Sequence, residues 1–160
     1  MATLDSYIAE LKFFAKHLQE NVVNIGVKNE RGIIAIQNNR HTSKGLDAKG
    51  KTIGSYSANT IARKNKKGQP SSFVTLEDTG NWHSDMFVGG TDELFIDNHN
   101  SSLTTELMNG GIGKGDEKSN PPYGKDIIGL TDEETVFLTQ KIIDPELQKI
   151  INKLPQTIDI

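Results

Sequence analysis

Four side chains near the middle of the chain have the types and spacing that could do chemistry. His83, Asp85, Asp97 and His99 flank Gly89-Gly90-Thr91-Asp92-Glu93, a glycine-containing hairpin signal between two apolar runs. In the register that sets Val88 against Leu94, Asp85 faces Asp97 and His83 faces His99. Two imidazoles and two carboxylates at one end of a hairpin are a candidate ligand set for a divalent cation. A metal-dependent hydrolase or nuclease would use the same group, with His99 at its centre. The competing reading is a polar, solvent-facing hairpin end. His99 is the last histidine, so no second catalytic histidine follows it. We assign no metal, cofactor or catalytic residue from these positions.

Other chemistry is excluded more firmly. The chain has no cysteine, which removes disulfides, thiolate zinc sites and cysteine nucleophiles. Gly111-Ile112-Gly113-Lys114-Gly115 is glycine-rich but lacks the Lys-Ser/Thr ending of a phosphate loop. No apolar run is long enough to span a membrane, and the first residues lack the pattern of a signal peptide. These features point to a protein used in a reducing cytoplasm.

The elements that position these residues follow from periodicity. Leu4, Tyr7, Ile8, Leu11, Phe14, Ala15, Leu18 and Val22 make one apolar stripe, which predicts a helix from Thr3 to Asn24 with Thr3 as N-cap. Gly26 weakens its continuation, and a second helix is expected from Val27 to His41. Residues 42–70 read as a long loop interrupted by a short helix over Ser57–Lys66. Phe73, Val74 and Leu76 read as a short strand. In the hairpin, Met86, Val88, Leu94 and Ile96 share one face, while Phe87 and Phe95 lie on the other. An apolar tip with two such faces must bury one against the N-terminal helices or another subunit. Ser101–Met108 predicts a helix, and Gly110, Gly111, Gly113 and Gly115 before Pro121-Pro122 place a loop over 109–124. Thr131 and Glu134 form a capping box for a last helix, which Asp144-Pro145 interrupts and restarts. The expected fold is α+β: one domain over 1–160, with N- and C-terminal helices on a small antiparallel sheet.

The charge is unevenly spread. Net charge is only −3 over 160 residues. Yet Arg40, Lys44, Lys49, Lys51, Arg63, Lys64, Lys66 and Lys67 stand against Asp47 alone over 40–67. Residues 77–98 carry Glu77, Asp78, Asp85, Asp92, Glu93 and Asp97 with no Lys or Arg. The basic segment suits a phosphate backbone or the acidic hairpin of a neighbouring copy. Phe87, Leu94 and Phe95 are the expected subunit-contact residues of the hairpin.

The order of segments carries a resemblance. Gly45-Leu46-Asp47-Ala48-Lys49-Gly50 is followed by Tyr56, Thr60 and Lys64. Then come Val74-Thr75-Leu76-Glu77-Asp78-Thr79-Gly80-Asn81-Trp82, the hairpin, and Tyr123-Gly124-Lys125-Asp126-Ile127-Ile128-Gly129-Leu130-Thr131 before the last helix. Over roughly residues 30–140 this succession resembles the neck or tail-completion (virion morphogenesis) proteins of tailed bacteriophages, especially those of Bacteroidetes phages. The resemblance implies an α+β subunit in a ring of the head–tail junction. Its partners would be the portal, neck or tail proteins and packaged DNA, and it would be located in the virion. It implies no catalytic residue. The glycine-rich insert at 109–122 departs from the shorter link usual in such proteins.

Overall fold

The apolar stripe that begins at Leu4 runs through two helices. The computed structural model describes residues 2–77, 80–109, 123–154 and 158–159. Ala2–Thr3 form a two-residue strand (β1) that pairs in parallel with Ile158–Asp159 (β4). Thr3 is therefore in a strand, although it was expected as an N-cap. Helix α1 (Leu4–Lys16) stops at His17, whose Nδ1 bonds the Phe13 carbonyl at 2.7 Å. The His17 backbone N–H donates to the same carbonyl, so the side chain competes for a helical acceptor and loosens the ladder there. Helix α2 (Leu18–Lys28) follows, and α3 (Glu30–Lys44) begins after Asn29. Gly26 lies inside α2 and does not end a helix: its missing side chain admits Leu94 of the hairpin, whose methyl groups occupy the space an added Cβ would need. Gly45 ends α3 in the left-handed region at φ 63°, donating its N–H to the Arg40 and His41 carbonyls.

Residues 42–70 are tied down by their own chain. Leu46 and Thr52 form an antiparallel bridge, and Asp47 Oδ1 accepts the N–H groups of Lys49 and Lys51 at 2.9 Å each. Ser57 caps α4 (Ala58–Lys66), its hydroxyl accepting from the Thr60 N–H. The strand expected at 73–76 does not form. Val74 and Thr75 instead run irregularly through the interior, with the Tyr56 hydroxyl accepting the Thr75 N–H at 2.9 Å. Here side-chain burial and a tyrosine bond outweigh local strand preference.

A four-residue helix, α5 (Asn81–Ser84), leads into β2 (Met86–Gly90), which pairs antiparallel with β3 (Leu94–Asn98). The register is two residues from the expected one: Val88 faces Ile96, and Gly90 faces Leu94. Both glycines join the strand and leave a three-residue turn. Gly89 accommodates the Phe95 ring, whose Cζ would lie 2.6 Å from an added Cβ. At Gly90 the Glu93 carbonyl oxygen would lie at the same 2.6 Å. A two-residue slip keeps every side chain on its face, so Met86, Val88, Leu94 and Ile96 still point together, inward onto α2 and α3.

Helix α6 (Ser101–Asn109) matches the expected one. The glycine-rich residues 110–122 lie outside the described residues, as do Asp78 and Thr79. The capping box forms as read: Thr131 accepts the Glu134 N–H, and Glu134 accepts the Thr131 N–H, opening α7 (Asp132–Leu138). The helical path then continues through a π-helical turn (Thr139–Ile143) into α8 (Asp144–Ile151). Asp144 does not cap a restarted helix. Its N–H reaches back to the Thr139 carbonyl, and the widened turn admits Pro145, which has no N–H to donate.

The fold is thus a small α+β arrangement with two apolar centres. Ile25, Ile33, Val88, Leu138 and Ile143 form one, and Ile53, Val74, Trp82, Met86 and Ile127 form the other. Ile34 and Ile96 pack against both. Replacing Gly90 by Ala sets a methyl against a backbone carbonyl that cannot swing aside, and is expected to cost about 1–3 kcal/mol. Urea unfolding of the Gly90→Ala chain checks this, and an unchanged midpoint refutes the packing described.

Candidate functional site

The structure does not bring the His/Asp group together. His83 leaves the hairpin for α5 and is buried beside His41 and Trp82, at ring-centroid distances of 5.6 and 5.3 Å. His99 lies flat on the outer face of Phe87 at 4.3 Å. Asp97 faces Phe87 in the observed register, and the Asp85 carbonyl accepts the His99 N–H at 2.9 Å. Among the described residues no group of three or more His, Asp or Glu is placed to hold a metal ion. Two features undo the expected set: the two-residue change of register, and the helical turn that removes His83 from the strand.

The basic segment divides into an inner and an outer part. Arg40 is only 4% exposed and is a structural cation. Its Nη1 pairs with Glu134, Nη2 donates to the Gly129 carbonyl at 2.8 Å, and Nε donates to the Leu46 carbonyl at 3.1 Å. Burial lowers its pKa, and the Glu134 carboxylate works against that shift. Lys64 is likewise buried, donating to the Glu77 carbonyl and to Thr75 Oγ1, with its ammonium 4.9 Å from the Tyr56 ring centroid. Neither cation is presented to a partner. Lys44, Lys49, Lys51, Arg63, Lys66 and Lys67 remain exposed. Lys49 pairs with Asp126 at 2.7 Å, which raises the pKa of the ammonium and lowers that of the carboxyl. A cleft of about 580 Å³ between the 45–50 turn and α7 is lined by both signs of charge, including Lys44, Lys49, Asp132 and Glu133.

Sequence reasoning missed a buried polar layer on α3. Gln37, Arg40 and His41 continue the apolar stripe of Ile33 and Ile34 at helical spacing, and that continuation was the available signal. Gln37 Oε1 accepts the Gly129 N–H at 2.7 Å, so Gly129 is held from both sides by α3. His41 is fully buried, and burial, with Arg40 and His83 nearby, lowers its pKa to about 3. His83 is lowered as well, chiefly by burial, with Glu77 opposing. Both imidazoles are neutral at physiological pH.

The hairpin's two faces have separate fates. Leu94, expected at a subunit contact, packs on Gly26 and the first apolar centre. Phe95 is 49% exposed and meets Phe87 edge-on at 6.2 Å. With His99 on the far side of Phe87, the three rings form an outward aromatic row. Asp92, Glu93 and Asp97 are exposed around it, and Gln19 Nε2 donates to the Asp92 carbonyl, tying the hairpin tip to α2. An aromatic row inside an acidic rim is an arrangement suited to binding another protein.

Compared with protein-family models, curated proteins and solved structures, the chain matches none. Among the described residues no helix is long and apolar enough to cross a membrane.

Two outcomes follow from the buried layer. Glu134→Ala strands the Arg40 cation in the interior and removes half of the capping box, with an expected loss of about 3–5 kcal/mol. Urea unfolding at neutral pH measures it, and a loss comparable to that of an exposed ion pair contradicts the placement. His41 gains its proton near pH 6.5 when unfolded and near 3 when folded. The unfolded state therefore binds more protons between these values, and stability falls as pH drops from 6.5 toward 3. The slope from His41 approaches about 1.4 kcal/mol per pH unit. A His41→Gln chain should show a shallower acid decline, and equal declines in the two chains refute this.

Proposed function

We propose that the protein is a structural subunit of a tailed-phage virion, a ring-forming neck, connector or tail-completion component that performs no catalysis. The observation that carries this reading is the outward aromatic row, half-buried Phe87 with exposed Phe95 and His99, and its acidic rim. Opposite charge is supplied elsewhere on the same chain, by Lys44, Lys51 and Lys66 on the 44–51 turn and α4. Two unlike, complementary patches on one subunit favour head-to-tail association, which closes into rings when the rotation permits. The order of segments supports the same reading through its resemblance to phage neck proteins. Portal, neck or tail proteins would then be the neighbours along the axis, and whatever part of the basic segment the neighbouring copy leaves uncovered would contact packaged DNA without reading its sequence.

Phe95 is the side chain to test. Because it is exposed, Phe95→Ser should change folding stability by no more than about 0.5 kcal/mol. Its loss from the centre of a contact should weaken self-association about tenfold or more. Light scattering of both chains at matched concentrations reads this directly. A wild-type oligomer that loses mass on substitution supports the reading, whereas a strict wild-type monomer holding stoichiometric metal overturns it.

A further inference from the structure

Along α1 the apolar residues keep a spacing that a partner helix would complete. Leu4, Ile8, Leu11 and Ala15 alternate at intervals of four and three, the seam of a left-handed coiled coil. In α2 the stripe is covered from Val22 on, since Val22 packs on the first apolar centre and Ile25 is buried within it, while Leu18 at its start is exposed. Along α1 it is open: Leu4 is 54% exposed, and Ile8 and Leu11 are 39% exposed each. From Leu4 to Ala15 it spans about 17 Å at the helical rise.

We infer that this seam pairs with the α1 seam of a second copy, the two helices running antiparallel. Charge selects both the occupant and the direction. Asp5 and Lys12 follow Leu4 and Leu11 by one residue, on the same flank of the seam, and both are exposed. In an antiparallel pair like flanks meet, so when Ile8 packs on the partner's Leu11, Asp5 lies beside the partner's Lys12. The two-fold axis repeats that pair, giving two ion pairs from one helix sequence. The same register sets Leu4 against the partner's Ala15, large against small. A parallel pair would instead align this flank with the row of Tyr7 and Phe14, which offers no opposite charge. Phe14 moreover faces its own chain across a groove that it lines with Ile150 and Leu154, of α8 and the segment after it. The resulting contact is isologous and joins two copies only. It is separate from the hairpin contact and does not depend on the proposed virion role.

Sedimentation velocity of the full chain over a range of concentrations tests the pairing. The Phe95→Ser background weakens the hairpin contact without touching α1, so failure of the ring reading and failure of this one remain distinguishable. The expected result is a reversible dimer whose dissociation constant rises about tenfold with Asp5→Lys or with Lys12→Asp. The double exchange should restore it, because the two ion pairs re-form with their signs reversed. Circular dichroism confirms that the exposed substitutions leave the helices folded. A monomer at every concentration overturns the inference. So does a dimer indifferent to the single changes, or one that the double exchange does not rescue. Because the chain has no cysteine of its own, Leu4→Cys and Ala15→Cys chains can be mixed and oxidised. A disulfide between positions 4 and 15 is expected, and one joining position 4 to itself alone contradicts the direction.

Discussion

A guanidinium that is almost entirely buried must be neutralised and hydrogen-bonded, and Arg40 sets that requirement for this chain. Glu134 supplies the charge, while the carbonyls of Leu46 and Gly129 accept from Nε and Nη2. The partners come from the turn after α3, the segment before α7, and α7 itself. Meeting the need of one buried cation therefore brings three separate stretches against α3. Gln37 adds a second hold on Gly129. Glu134 also completes the capping box at Thr131, so the same carboxylate starts a helix and closes the ion pair.

This arrangement explains why the hairpin can offer an aromatic surface. With α3 and α7 fixed, the inner face of the hairpin finds Ile25, Ile33 and Leu138 already positioned, and Val88 and Leu94 settle onto them. Gly26 and Gly90 let the strands approach α2 closely. All the apolar area the scaffold can absorb comes from one face. Phe87 and Phe95 on the other face are left to cover each other, with His99 closing the row. The outward aromatics are thus a consequence of strand alternation on a one-sided core. In the proposed assembly a neighbour covers them.

The sequence was most legible where the interaction is local. The capping box at Thr131, the short helix before Lys67, helix α6 and the inward face of the hairpin all follow from spacing within a few residues. The exact pairing of the hairpin did not. Gly89 and Gly90 look like turn residues, yet close contacts with Phe95, Glu93 and Val23 draw them into the strand. The burial of Arg40 and Lys64 was equally hidden, because composition reads both as part of a basic surface. Arg40 finds its carboxylate 94 positions away, and Lys64 finds its carbonyl 13 positions away in an irregular segment. The candidate metal group failed for a related reason: a register and a helical turn, both set by tertiary contacts, decide whether four side chains meet. The apolar stripe at the start was visible, but its interruption at His17 and its burial only from Val22 onward were not.

The central claim is that the chain is a subunit built to close a ring. Electron microscopy of the purified full chain at increasing concentration addresses it most directly. Closed rings of uniform diameter that become more numerous as concentration rises are the expected result. A field of single particles or isolated pairs at every concentration would contradict it.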